Sequence, residues 1–119
     1  MEQEYFFNCE ILEEKPFVAV IYLGKSVLGG NEALEFTSHL EECSNKNIKY
    51  VIVNLQKVQM MNSSGLGMLV SGISTLRKHN ITMYLADVPE KVFKLLKMTH
   101  LDEVFNTFPS LDIAIEKCS

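Results

Sequence analysis

The sequence predicts an α/β fold: a mixed β-sheet with an N-terminal hairpin, then parallel crossovers, and helices mainly on one face. Three features carry that reading. Residues 5–12 and 17–23 are apolar and aromatic and flank the turn Glu13-Glu14-Lys15-Pro16, which reads as a β-hairpin. Beyond it, strand-like apolar runs alternate with amphipathic helical patterns, the arrangement of parallel strands joined by right-handed crossovers. One of those runs, Tyr50 to Leu55, is nearly unbroken and rich in β-branched residues, as expected of a strand buried on both faces.

In order, Pro16 opens the second hairpin strand, where its missing N–H does least harm. Phe6 and Phe7 are adjacent, so one of them should face solvent or a neighbour. Gly24 to Gly30 is a loop rich in small residues. A helix follows from Asn31, with Ala33, Phe36, Leu40 and Cys43 on its inward stripe and Glu32, Glu35, Glu41 and Glu42 largely off it. Ser44-Asn45-Lys46-Asn47 ends that helix and leads into the buried strand. A second helix begins at about Ser64, with Leu66, Leu69, Val70, Ile73 and Leu76 at helical spacing, and stops at His79-Asn80. Ile81 to Ala86 is a further strand. Asp87-Val88-Pro89-Glu90 has the spacing of a capped helix start, with Val92, Leu95 and Leu96 facing inward. Val104 to Phe108 reads as a short edge strand, and Pro109 precedes a last amphipathic segment.

At 119 residues the chain is one domain, residues 1–119, long enough to bury a core. Its 47% hydrophobic and 22% charged residues are those of a soluble protein. No apolar stretch reaches the length of a membrane span, and Met1-Glu2-Gln3-Glu4 lacks the basic start of a signal peptide. A net charge of -4 without a basic cluster argues against direct nucleic-acid binding. Cys9, Cys43 and Cys118 are odd in number, with no ligand rhythm, and read as reduced thiols in a cytosol. The chain is expected to be cytoplasmic.

Catalytic chemistry finds no support. Gly65-Leu66-Gly67 lacks the third glycine of a dinucleotide fingerprint, and no phosphate loop occurs. His39, His79 and His100 stand alone, so no metal set is expected. Ser63 lies outside a Gly-x-Ser-x-Gly elbow and has no assignable His/Asp pair. The expectation is a binding module, not an enzyme, with no cofactor of its own.

The stretch Met60-Met61-Asn62-Ser63-Ser64-Gly65-Leu66-Gly67 is the most informative. Asn62, Ser63 and Ser64 all suit helix capping, and two small hydroxyls stand at the positive end of a helix dipole, where a phosphate is tolerated. On the helix that follows, Ser64, Met68, Ser71, Gly72 and Thr75 share a side. A solvated face usually carries Glu, Lys or Gln. This one is small and neutral with one thioether, which suits either a partner surface or another element of the same domain.

Asn62-Ser63-Ser64-Gly65-Leu66-Gly67, following a hydrophobic strand, resembles the signature of the STAS domain family, specifically the bacterial anti-sigma-factor antagonists, and the similarity extends to Met98-Thr99-His100-Leu101. The resemblance implies that Ser63 is phosphorylated by a partner serine kinase. It further implies that the unphosphorylated protein sequesters that kinase, an anti-sigma factor, and so frees a sigma factor for transcription. A separate phosphatase would reset the switch, with ATP and Mg²⁺ belonging to the kinase. Asn62, Ser63, Ser64, Gly65, Met68, Ser71, Gly72 and Thr75 are then the expected partner surface. Two departures stand out: Asn62 replaces the family's usual Asp, and Gly24-Lys25-Ser26-Val27 lacks its Gly-x-Leu-Asp acid. STAS domains also serve as constitutive subunits of lipid-transport complexes or sensory scaffolds, in which Ser63 would be only a cap.

Overall fold

A computed structural model describes residues 8–119. Among them the strands are β1 (Asn8–Ile11), β2 (Val18–Tyr22), β3 (Ser26–Val27), β4 (Tyr50–Asn54), β5 (Met60–Met61), β6 (Thr82–Ala86) and β7 (Asn106–Phe108). The helices are α1 (Asn31–Ser44), α2 (Ser63–Arg77), α3 (Glu90–Met98) and α4 (Leu111–Glu116). The main sheet runs β1-β2-β4-β6-β7, with β1 antiparallel to β2 and every later pairing parallel. This is the mixed sheet that the hairpin and the alternating pattern predict. The expectation for Phe6 and Phe7 falls outside the described residues.

Period-two alternation sorts the strands onto two cores. Ala19, Ile21, Val51, Val53, Met83 and Leu85 face α1, α2 and α3. Val18, Val20, Ile52 and Ala86 face α4, with Ala114 and Cys118 among them. Both faces of β4 are therefore dry, which is why its sequence reads as an unbroken apolar run. The second core is thinner and has an aromatic margin, where Phe17, Tyr50, Tyr84 and Phe108 follow one another across the sheet at centroid spacings of 6.3, 5.4 and 4.8 Å. The hairpin turn also reaches this side. Lys15 Nζ donates to the carbonyls of Ile115 and Cys118 at 2.8 and 2.9 Å, placing a cation on the negative end of α4.

Three expectations change. The loop from Gly24 to Gly30 contains β3, which pairs in parallel with β5, Ser26 opposite Met60 and Val27 opposite Met61. Asp87 does not cap α3. It adopts a left-handed φ of 54°, and its carboxylate accepts from the buried Asn54 side chain at 2.9 Å and from the Leu111 N–H at 3.2 Å. Pro89 takes the capping position with no side-chain bond. A carboxylate serving two distant donors holds three segments together, whereas a local cap would satisfy one helix end.

Glu32 is the third. Expected on the outer side of α1, it is only 3% exposed, and its Oε1 accepts from the N–H groups of Leu28 and Gly29 at 2.6 and 2.9 Å. Position in the first turn of α1 favours the charge, because the helix dipole is positive there. Its second oxygen is buried and, among the described residues, has no partner. Removing the acceptor strands two N–H donors, so Glu32→Ala is expected to cost about 2 kcal/mol in a denaturant titration, and Glu32→Gln less.

Candidate functional site

The start of α2 is built by a local hydrogen bond and a close backbone approach. Asn62 is extended (φ −120°, ψ −177°), and its side-chain Oδ1 accepts from the Gly65 N–H at 2.8 Å. Its own carbonyl accepts from the Leu66 N–H at 2.9 Å, starting the helical ladder. The amide thus does the capping that an Asp would do, without the charge. Asn62→Ala is expected to cost about 1 kcal/mol, read as a lower denaturation midpoint with the fold retained.

The chain upstream is fixed by the small β3–β5 sheet. Lys25 O accepts from the N–H groups of Gln59 and Met60 at 2.7 and 3.0 Å, which brings the β3 loop alongside the motif. Gly65 then packs directly on Val27: a Cβ at position 65 would run into the Val27 carbonyl. Gly29, at φ 85°, lies so close to Ser64 that an added Cβ would come within 2.8 Å of the serine Cβ. The two loops brace the helix start from below and leave its mouth open.

Ser63 and Ser64 are both exposed, and among the described residues neither hydroxyl has a hydrogen-bond partner. The first turn of α2 holds no acidic residue. An anion on Ser63 would therefore meet the positive end of a 15-residue helix without a neighbouring carboxylate in that turn. Beside it lies a cleft of about 410 Å³ lined by Leu28, Met60, Asn62, Lys91, Val92 and Leu95, among others. Leu28 and Met60 expose 42% and 58% of their surface, so the margin is apolar.

Part of the helix face expected to meet a partner is turned inward. Met68 and Gly72 are buried, and Thr75 is half-buried. A Cβ on Gly72 would press on Met83, Phe36 and Leu40, so this side of α2 receives α1 and β6. Small residues there allow the two helices to approach closely. Gly65 is likewise buried against β3. Of the expected surface, Asn62, Ser63, Ser64 and Ser71 are exposed. Gly67 and Ser74, which the sequence reading left out, complete a small, neutral exposed row running Ser63, Gly67, Ser71, Ser74. The alternation of two small-residue faces on one helix hides which is outward; the Phe36 and Leu40 stripe of α1 was the available signal.

Among the described residues no group of three His, Cys, Asp or Glu side chains could hold a metal ion, and no helix is long and apolar enough to cross a membrane. The STAS domain family profile matches residues 11–114. The chain belongs to the STAS domain family. Among solved structures it is similar to the Thermotoga maritima protein TM1081, at TM-score 0.80 and 21% identity over 98% of this chain and 91% of that one. It is similar to the anti-sigma factor antagonist SpoIIAA in its unphosphorylated form, at TM-score 0.76 and 17% identity, covering 94% and 95% of the two chains. A sulfate transporter family protein from Wolinella succinogenes matches at TM-score 0.68 and 14% identity, over 84% of this chain and 83% of that chain. These likenesses are of fold.

Proposed function

We propose that the chain is an anti-sigma-factor antagonist: it binds a serine-kinase anti-sigma factor through the outer face of α2 and is switched off by phosphorylation at Ser63. The observation that carries this reading is Ser63 itself, exposed at the positive end of α2 beside the small row Gly67, Ser71 and Ser74 and the apolar residues Leu28 and Met60. The likeness to SpoIIAA, which is known in unphosphorylated and phosphorylated forms, supports it. ATP and Mg²⁺ belong to the kinase, a phosphatase restores the binding form, and the protein acts in the cytoplasm without catalytic chemistry of its own. Phosphate mapping on the protein isolated from its own cell tests the switch. A single phosphate at Ser63 is expected; phosphate confined to other residues, or absent under every growth condition, contradicts it.

The second reading, a constitutive subunit or scaffold, is favoured by the likeness to a sulfate transporter family protein and by Asn62 in place of the family's usual Asp. There Ser63 is only an exposed residue in the first turn of α2, which Asn62 caps, and Ser63→Glu leaves the complex intact.

A further inference from the structure

Away from Ser63, two thiols distant in sequence meet. Cys9 lies in the edge strand β1 opposite Ile21, and Ile21 belongs to the core beneath the helices, so Cys9 is on the helix side of the sheet. Cys43 lies in the last turn of α1, 3% exposed. Their Sγ atoms are 4.0 Å apart, at a sequence separation of 34. Cys9 is exposed and Cys43 is buried. Cys9 is therefore the member of the pair at the solvent-facing side, and Cys43 stands behind it.

The surroundings set which thiol ionises. The hydrogen bond between the two sulfurs, in which either thiol can donate, brings the Cys9 thiol down to about 7; burial opposes this, the nearby Lys46 ammonium assists and Glu42 opposes. Cys43 is pushed up, first by the same hydrogen bond and then by burial. The thiolate, the reactive form, is therefore favoured at Cys9 over Cys43.

We propose that Cys9 and Cys43 form an oxidisable pair in which hydrogen peroxide oxidises Cys9 and Cys43 resolves the product into an intramolecular disulfide tying β1 to the end of α1. In the first step the Cys9 thiolate attacks peroxide. An S–O bond forms, the O–O bond breaks, and the departing hydroxide takes a proton to become water. Cys9 sulfur loses two electrons, and peroxide gains them. In the second step Cys43 sulfur attacks Cys9 sulfur. The S–S bond forms, the S–O bond breaks, and the hydroxyl leaves as water with the Cys43 proton. Two thiols and one peroxide give one disulfide and two waters. The sulfurs must close by about 2 Å to reach bonding distance. A four-residue edge strand, held on one side only, is the element able to supply that movement.

The inference is independent of the Ser63 reading. Its test is peroxide treatment of the purified full chain, followed by alkylation in denaturant, digestion without reductant and mass spectrometry. The expected product is a Cys9–Cys43 cross-linked peptide, two hydrogens lighter than the separate peptides, with Cys118 alkylated. The closed loop should raise the thermal midpoint by roughly 10 °C, reversed by dithiothreitol. Cys9→Ser, a change at an exposed position, should abolish both cross-link and shift. Cys43→Ser should leave Cys9 as a sulfenic acid that dimedone traps. Overturning results are Cys9 and Cys43 both alkylated after treatment, Cys9 over-oxidised with Cys43 free, or Cys9 joined to Cys9 of a second copy.

Discussion

Ser63→Glu is expected to abolish capture of a serine-kinase anti-sigma factor, whereas Ser63→Ala is expected to preserve it. The difference is one of charge and not of folding. Ser63 is exposed at the N-terminus of α2, so a glutamate there adds a negative charge where the helix dipole favours it, and thermal stability should stay unchanged or rise slightly. The cost falls on the complex. One carboxylate facing an acidic group of the partner about 5 Å away is repelled by about 3 kcal/mol at an effective dielectric near 20, before salt screening. That corresponds to roughly a hundredfold or more in affinity. A phosphate, at about −1.5 to −2 charges, would contribute on the order of 6 kcal/mol. Losing the serine hydroxyl as a hydrogen-bonding group costs only about 1 kcal/mol, so alanine should bind nearly as well as serine. Isothermal titration of the two variants against the kinase separates the terms. Equal binding by Ser63→Glu and wild type would favour the constitutive subunit.

The second large effect is structural. Gly65→Ala is expected to destabilise the domain by about 3 kcal/mol, a fall of about 10 °C in thermal midpoint, although alanine is the better helix former. The new methyl group would meet the Val27 carbonyl, which is backbone and cannot rotate away. Either β3 separates from β5 or α2 lifts off at its start. Gly67→Ala is the control: nothing lies near a Cβ at that exposed position, so helix propensity alone should raise stability by about 1 kcal/mol. Circular dichroism melts of both variants check the contrast. A similar response at the two glycines would remove the steric account of Gly65.

What could be read from the sequence is what local chemistry determines. The Asn62 cap acts three residues along the chain, and α1, α2, β4 and β6 have apolar patterns long enough to show their period. The pieces that were hidden are short or non-local. β3 and β5 have two residues each, below the length at which alternation carries information, yet their pairing aligns the loop under α2. Glu32 reads as a solvated charge because only the fold brings the Leu28 and Gly29 N–H groups to it. Asp87 carries every local mark of a cap, but Asn54 and the Leu111 N–H, distant in sequence, claim its carboxylate. Met68 and Gly72 lie on a real helical face whose occupant, α1, lies in an earlier segment of the chain. The same limit concealed the Cys9–Cys43 pair.

The most direct measurement is a pull-down from the native lysate with this protein as bait, once as isolated and once after phosphatase treatment, with captured proteins identified by mass spectrometry. The proposed switch predicts a serine-kinase anti-sigma factor retained by the dephosphorylated bait and lost when Ser63 carries phosphate. The same partners captured in both states, or a permease in place of the kinase, would contradict it.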